Sequence, residues 1–392
     1  MTDSTAPQAT KPATETTEAA VPSSPPTAAS PPAAASPPKA ASPEPTPLET
    51  AIQDQPPAVP SPTDPGLLVA ADGQDDDDDD SALGEELDGE SSTASIASSI
   101  LEYRTIQGRT FHSDRHKASY FTPNDAKQLE SVDITHHYLT VLLDNKLFLA
   151  PIGDKPLKVL DIGTGTGIWA IDFADQFPTA EVIGTDLSPI QPTWVPPNLR
   201  FEIDDCTSEW TWDDNQFDFV HIRYLFGAIK DWTELFRQAH LVTKPGGWVQ
   251  SAEAEVIIRS DDDSLPADSA MITQWNKLYT EASEKTGMSF TPLTDNIQRK
   301  SLEEAGFVDI QEANFKIPLG GWPRDPKLAE VGRFVQMTLN NDIEGYTMFI
   351  WNNVLGWPKE EYQIFLMLMR QELKNKKIHS YMTVRYVWGR KP

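Results

Sequence analysis

Cysteine and long apolar runs are the features that this sequence most clearly lacks. Cys206 is the single cysteine among 392 residues, which excludes an intrachain disulfide and a cysteine-based zinc cluster and fits a reducing compartment. No uncharged stretch reaches the roughly 18 apolar residues of a membrane span, and the first residues lack the basic and apolar regions of a secretory signal. We therefore expect a soluble, intracellular protein, in the cytoplasm or the nucleus, without a membrane span.

Basic residues are also scarce. Residues 1–100 contain two Lys or Arg against 18 Asp or Glu, which is −16 of the total net charge of −27 and leaves −11 for the rest of the chain. Because binding to a phosphate backbone requires a basic surface, the charge disfavours direct binding to nucleic acid.

The first part of the chain has no aromatic residue to bury. Up to Pro65 it is rich in Ala, Pro, Ser and Thr, and the acidic run Asp75 to Asp80 follows. Such a segment cannot offset an ordering entropy of about 1–2 kcal/mol per residue. We predict a disordered tail over residues 1–95, a helical arm or lid over 96–150, and a folded domain over 151–392 with a helical insertion at about 322–378.

Strand-like and helical patterns alternate in the folded part. LKVLDIG, EVIGTDL, LRFEIDD, FDFVHIRY and GWVQSAEAEV have the composition of strands, and IWAIDFADQF and DWTELFRQAHLVTK have helical spacing. This alternation predicts an α/β fold with a mostly parallel sheet and helices on both faces. The last segment, YMTVRYVWGRKP, is interpreted as an edge strand.

The stretch VLDIGTGTGIW forms the first turn from strand to helix, where open parallel sheets bind nucleotides and nucleosides. Gly163 allows the sharp exit from the strand, Gly165 lets a ligand approach the backbone, and Gly167 permits close helix packing. A dinucleotide site needs G-x-G-x-x-G, but Ile168 stands at its last position. Asp161 would repel a pyrophosphate and could bind an ammonium group, so the pattern favours S-adenosylmethionine over NAD. An NAD-dependent oxidoreductase is the less favoured alternative.

Acidic residues at the ends of the next two strands complete a nucleoside pocket. Asp186 is placed to accept hydrogen bonds from two ribose hydroxyls. Asp205 could accept one from an adenine amine, and the Cys206 amide could donate to a ring nitrogen.

The catalytic residues are harder to identify, because methyl transfer from a sulfonium depends mainly on alignment and water exclusion. Position alone suggests Tyr120, Asn124, Arg223 and Glu253 as residues on the acceptor side. The adjacent His136 and His137 would point in different directions on a helix, so packing is favoured over metal binding. No metal site is predicted.

VLDIGTGTGIWAIDFADQFPTAEVIGTDLSPIQPTWVPPNLRFEIDD, with IRYLFGAIKDW and KPGGW, resembles the class I S-adenosylmethionine-dependent methyltransferases of the fungal LaeA-like family. The arm GRTFHSDRHKASYFTPNDAKQLESVDITHHYL is similar to that family's N-terminal segment. The resemblance implies a seven-stranded Rossmann-like sheet with one antiparallel strand, and a small-molecule or protein acceptor. It also implies regulation of secondary metabolism or development with velvet-type partner proteins. The residues to which it assigns cofactor binding are Asp161, Gly163, Gly165, Gly167, Asp186 and Asp205.

The chain departs from the family pattern at Ala126, Ser131, Gln250 and Ala252, which we expect on the acceptor side. These departures motivate the alternative of a cofactor-binding regulator with little turnover.

Overall fold

The computed structural model describes residues 103–113, 120–153 and 158–392. The predicted disordered tail, residues 1–95, lies outside the described residues. The strands of the described part are β1 (Arg104–Ile106), β2 (Arg109–Phe111), β3 (Lys158–Ile162), β4 (Glu181–Asp186), β5 (Leu199–Ile203), β6 (Phe217–Arg223), β7 (Thr243–Ser260), β8 (Val308–Pro318) and β9 (Ser380–Arg390).

The helices are fewer and vary in length. They are α1 (Ala126–Leu142), α2 (Ile168–Gln176), α3 (Trp232–Val242), α4 (Lys277–Thr286), α5 (Ile297–Glu304), α6 (Pro326–Phe349) and α7 (Lys359–Leu373). Short π-helical segments, Met271–Asn276 and Ile350–Leu355, precede α4 and follow α6.

Among the described residues, seven strands form one sheet in the order β5-β4-β3-β6-β7-β9-β8. The pairs from β5 to β7 are parallel, and β9 runs antiparallel to both β7 and β8. The expected Rossmann-like sheet with one antiparallel strand is confirmed. The prediction that YMTVRYVWGRKP is an edge strand is wrong, because β9 lies between two strands.

The sheet is covered on both faces, as its apolar strands predicted. In β3, Val159 packs into one hydrophobic cluster with Trp169 and Phe173 of α2. The next residue, Leu160, packs into the opposite cluster with Phe236 of α3. Successive side chains of a strand point to opposite faces, so one strand supplies both cores.

The N-terminal arm contains a β-hairpin as well as a helix. β1 and β2 form a two-stranded antiparallel pair, which the sequence interpretation missed. Asp125 precedes helix α1 as its N-cap, and its side chain accepts a hydrogen bond from the Gln128 N–H in the first turn.

Helices α6 and α7 fill the chain between β8 and β9, within the region predicted as a helical insertion. Asp325 caps α6 and Pro326 occupies its first turn. The helix is interrupted at Asp342, whose φ of −137° and ψ of 48° are not helical.

Within the part of the chain that the structure describes, none of the helices combines the length and apolar character needed to cross a membrane.

Candidate functional site

The glycine turn lies between β3 and α2, and its three glycines all have positive φ, 66° at Gly163, 60° at Gly165 and 81° at Gly167. A Cβ on Gly163 would lie 2.6 Å from Leu225, and a Cβ on Gly167 would lie 2.3 Å from the Phe201 ring. Packing therefore requires these two glycines. A Cβ on Gly165 would meet only Val132, at 3.8 Å, so this glycine leaves its backbone open to a ligand.

Asp186 ends β4 beside this turn. Its Oδ2 accepts a hydrogen bond from the Gly165 N–H at 2.9 Å, and its Oδ1 accepts one from the Ser188 N–H at 3.1 Å. The carboxylate lines a cavity, and burial raises its pKa to about 6. The sequence placed Asp186 at this strand end, and the structure brings it into contact with the glycine turn.

Asp161 is buried and does not line the cavity. Its Oδ1 lies 2.7 Å from Nδ1 of His221, and its Oδ2 accepts the Thr164 hydroxyl at 2.6 Å. The His221 ring stacks on Trp169 at 3.7 Å, and burial lowers its pKa, so the neutral imidazole donates to the carboxylate. In this structure Thr164 and His221 occupy the Asp161 carboxylate beside the cavity wall, and its contact with an ammonium group stays a prediction.

The residues after β5 differ from expectation by one position. Asp204 and Cys206 line the cavity, whereas Asp205 does not. Oδ1 of Asp205 accepts hydrogen bonds from the Thr207 N–H at 2.9 Å and the Thr207 hydroxyl at 2.6 Å. Burial raises the pKa of the Cys206 thiol, so this thiol is protonated at neutral pH.

The cavity has a volume of about 210 Å³ and runs along the carboxyl ends of the strands. At one end it meets the glycine turn and the ends of β4 and β5. At the other end its wall is built by β7, β8, β9, α6 and the segment around α4. We call this second end the apolar compartment, and its residues are Ala254, Val256, Trp275, Tyr279, Ile317, Val335, Thr338, Leu339, Tyr346 and Met382.

Two of the acceptor-side candidates come from the segment that precedes α1, and both line the cavity. Burial raises the pKa of Tyr120 to about 12, so its hydroxyl stays protonated and cannot act as a base near neutral pH. Asn124 donates from Nδ2 to the Ser188 hydroxyl at 3.3 Å, and its buried Oδ1 has no hydrogen-bond partner in the described structure.

Arg223 ends β6 and also lines the cavity. Its Nη1 donates to Nδ1 of His136 at 3.2 Å, and Nε2 of that ring donates to Asp172 at 2.9 Å. Burial lowers the pKa of His136, which favours its neutral form. Because no carboxylate of the described residues forms an ion pair with Arg223, this side chain brings an uncompensated positive charge to the cavity.

Glu253 is completely buried on β7 and does not line the cavity. Its Oε2 accepts a hydrogen bond from the Phe226 N–H at 2.9 Å, and its Oε1 has no partner among the described residues. Burial raises its pKa to about 8. The structure therefore does not bring Glu253 to the cavity wall; its carboxyl group holds the loop carrying Tyr224 and Phe226, two cavity residues, and its role toward the acceptor stays a prediction.

None of the four positions that depart from the family pattern lines the cavity. Ser131 donates to the Lys127 carbonyl and Gln250 accepts the N–H groups of Leu149 and Ala150. These departures therefore affect the packing of helices and loops and do not change the residues that line the cavity.

The sequence interpretation predicted a helical arm or lid but named none of the α1 residues that line the cavity. Helix α1 contributes Gln128, Val132, Thr135 and Tyr138, which lie on one face because their spacing is three or four residues. That spacing is visible in the sequence. The sequence does not reveal that this face meets the glycine turn instead of the core.

Comparison with known proteins agrees with this geometry. The sequence model of a family described as "Methyltransferase domain" matches residues 134–312. The chain is 39% identical over 307 residues to methyltransferase pytC of Aspergillus terreus, which covers 78% of this chain and 93% of the relative. It is 35% identical to the secondary metabolism regulator LAE1 of Cochliobolus heterostrophus, over 73% of this chain and 94% of the relative. It is 31% identical to the protein-methionine methyltransferase laeA of Emericella nidulans, over 74% of this chain and 77% of the relative.

Proposed function

Because this chain belongs to the LaeA-like family of class I S-adenosylmethionine-dependent methyltransferases, we propose that its cavity binds the cofactor at the glycine turn and the acceptor in the apolar compartment. The observation that carries this proposal is that Gly165, Asp186 and Cys206, which lie at or just after the ends of three successive strands, line one cavity. Family membership sets aside the oxidoreductase alternative.

The residues present fit an adenosyl group. Gly165 leaves room at the backbone, and Asp186 is placed to accept hydrogen bonds from ribose hydroxyls. Asp204 and Cys206 line the cavity, and we propose that Asp204 meets the adenine amine in place of Asp205, with the Cys206 amide beside it. The positive charge of Arg223 fits the carboxylate of the cofactor's amino acid portion.

When bound, the cofactor supplies a methyl group that its sulfonium already activates. The chain's own residues then need to align the acceptor and exclude water. The walls of the apolar compartment suit the second task, since Trp275, Tyr279 and Leu339 are each no more than 5% exposed. Tyr120, which keeps its proton, donates a hydrogen bond and so orients a ligand without removing a proton.

We place this activity in fungal secondary metabolism or development, because relatives that match most of the chain are named for methyl transfer or for regulation of secondary metabolism. Association with velvet-type regulatory proteins, which the family resemblance implies, stays a prediction.

Calorimetry with S-adenosylhomocysteine tests the cofactor assignment. We expect the wild-type protein to bind it and Asp186→Ala to weaken binding by about tenfold or more, since a carboxylate that accepts hydrogen bonds contributes about 1.5–3 kcal/mol. Asp175→Ala, an exposed carboxylate on α2, is the matched control and should bind like the wild type. A wild-type protein without detectable binding would refute the proposal.

A further inference from the structure

The apolar compartment and the cofactor end are separate parts of one cavity. In the sheet order, β3 and β6 lie between the cofactor strand β4 and the strand β7, which supplies Ala254 and Val256. At about 4.8 Å per strand, β4 and β7 are roughly 14 Å apart. A molecule that contacts Asp186 through its ribose therefore leaves the wall at β7 and β9 to a second molecule.

The wall residues of the apolar compartment are buried in the described structure. Val335 is 2% exposed and Leu339 is 5% exposed, although both line the cavity from α6. Helix α1 faces α6 across the cavity, and Arg109 of the hairpin donates to Asp125 before α1 and to Asp342 within α6. Helices α1 and α6, joined by the hairpin, form a roof over the cavity. This roof admits a small molecule more readily than a segment of a folded protein.

Carboxylates are confined to the cofactor end. Among the described residues that line the cavity, the acidic ones are Asp186 and Asp204, and the positively charged Arg223 lies between the two ends. A buried ammonium ion without a carboxylate loses several kcal/mol of hydration, whereas contact with aromatic rings returns about 2 kcal/mol. The compartment therefore disfavours a cationic acceptor.

Polar atoms near the boundary between the cofactor end and the apolar compartment suit a hydroxyl group on the methyl acceptor. Gln128 is 3% exposed and lines the cavity, and its Oε1 has no hydrogen-bond partner within the described structure. The hydroxyls of Tyr138 and Tyr224 lie 3.3 Å apart, and both residues line the same cavity. An unpartnered buried acceptor is stabilised by a donor, which an acceptor hydroxyl supplies.

From these observations we infer that the methyl acceptor is a small, uncharged, largely apolar hydroxyl compound, such as a phenol or an enol, that binds in the apolar compartment. The inference rests on the proposed function. Transfer forms an O–CH₃ bond as the S–CH₃ bond breaks, leaves S-adenosylhomocysteine, and releases the hydroxyl proton to water.

Naphthol and the matched cation naphthylmethylamine are suitable probes for the full-length chain saturated with S-adenosylhomocysteine. Quenching of tryptophan fluorescence reports binding, since Trp275 lines the compartment. We expect naphthol to bind at least about tenfold more tightly than the amine, which corresponds to about 1.4 kcal/mol. Equal or tighter binding of the amine, or no binding of naphthol, would overturn the inference.

Two substitutions locate the probe. Val335→Phe and Ala254→Leu fill the compartment from α6 and from β7, and each should weaken naphthol binding by about tenfold or more. Met337→Phe changes α6 on its outward side, where Met337 is 51% exposed, and should leave naphthol binding unchanged. Unchanged naphthol binding in both filled variants would place the probe elsewhere and contradict the inference.

Binding of S-adenosylhomocysteine to the wild type and to the same variants distinguishes failure of the proposed function from failure of the acceptor assignment. If the wild type does not bind S-adenosylhomocysteine, the proposed function fails. If it binds normally and tritium from a labelled methyl donor enters a protein or peptide but not naphthol, the proposed function stands and the acceptor class is wrong.

Discussion

Arg109 and Asp342 form a two-pronged ion pair that joins the N-terminal hairpin to helix α6. Nη1 donates to Oδ1 at 2.8 Å and Nη2 donates to Oδ2 at 2.7 Å. The same guanidinium also donates to Asp125, the cap of α1. One side chain thus links both helices that roof the cavity, and Asp342, at the interruption of α6, has no exposed surface.

We predict that Arg109→Leu lowers the free energy of unfolding by up to about 3–5 kcal/mol, because it leaves the buried Asp342 carboxylate with the more distant Lys127 ammonium, at 3.6 Å, as its ion-pair partner among the described residues. Urea unfolding measures this loss. The double variant Arg109→Leu, Asp342→Asn should lose less than the sum of the single variants. The control Arg237→Leu breaks an exposed pair with Glu234 and should cost less than about 1 kcal/mol.

Asp186 should make cofactor affinity dependent on pH. Burial raises its pKa to about 6, and only the ionised form accepts hydrogen bonds from both ribose hydroxyls. At pH 5 about one tenth of the carboxyl groups are ionised, so affinity for S-adenosylhomocysteine should fall about tenfold between pH 8 and pH 5. Calorimetry across this range checks the prediction. In Asp186→Asn the fall should disappear, and a fall of equal size in that variant would assign it to another group.

Arg223→Leu should change the affinities of two adenosine-containing ligands to different extents. S-adenosylhomocysteine carries a carboxylate and methylthioadenosine does not, so the substitution should weaken the first by about tenfold or more and leave the second unchanged. Competition binding measures both. Equal weakening would show that Arg223 supports the fold of the site through His136 and makes no contact with the carboxylate. The exposed Arg333→Leu on α6 is the control.

Glu253 should make stability fall as the pH rises. Its folded pKa, raised to about 8 by burial, lies above its ordinary value of 4.5, so the folded protein holds the proton more tightly than the unfolded chain. That stabilisation is complete below about pH 4.5 and is lost as the pH rises through 8. Glu253→Gln does not ionise, so its stability relative to the wild type should increase by a few kcal/mol between pH 5 and pH 8.

Urea unfolding at the two pH values tests this prediction. The exposed Glu330→Gln should follow the wild type at both. A constant difference between Glu253→Gln and the wild type would mean that the carboxylate does not titrate in this range.

Short-range patterns predicted the cofactor end well. The spacing of Gly163, Gly165 and Asp186 depends on one strand, one turn and the next strand, and the structure brings these residues together. Prediction is less exact where a shift of one residue changes the face of the chain, since Asp204 lines the cavity and Asp205 does not. Side-chain direction after a strand is decided by local partners such as Thr207, which spacing does not reveal.

Contacts between segments far apart in the chain limited how much of the remaining fold and cavity could be predicted from the sequence. The wall of the apolar compartment combines β7 with Tyr346 of α6 and Met382 of β9, segments about 90 and 130 residues farther along the chain. The strand composition of β9 was clear from the sequence, but its position between β7 and β8 is a property of the whole sheet. An interpretation of each segment alone assigns the strand and misses its neighbours.

The position of β9 between β7 and β8 also constrains when the sheet can assemble during synthesis. In the described sheet β8 pairs with β9 alone, and β9 is made some sixty residues after β8. A nascent chain that has completed β8, α6 and α7 therefore has two strand edges awaiting the same partner. Until β9 has been synthesised and has paired, the edges of β7 and β8 expose backbone N–H and C=O groups that can pair with the wrong strand. Chaperone dependence should be greatest while β7 and β8 still lack β9.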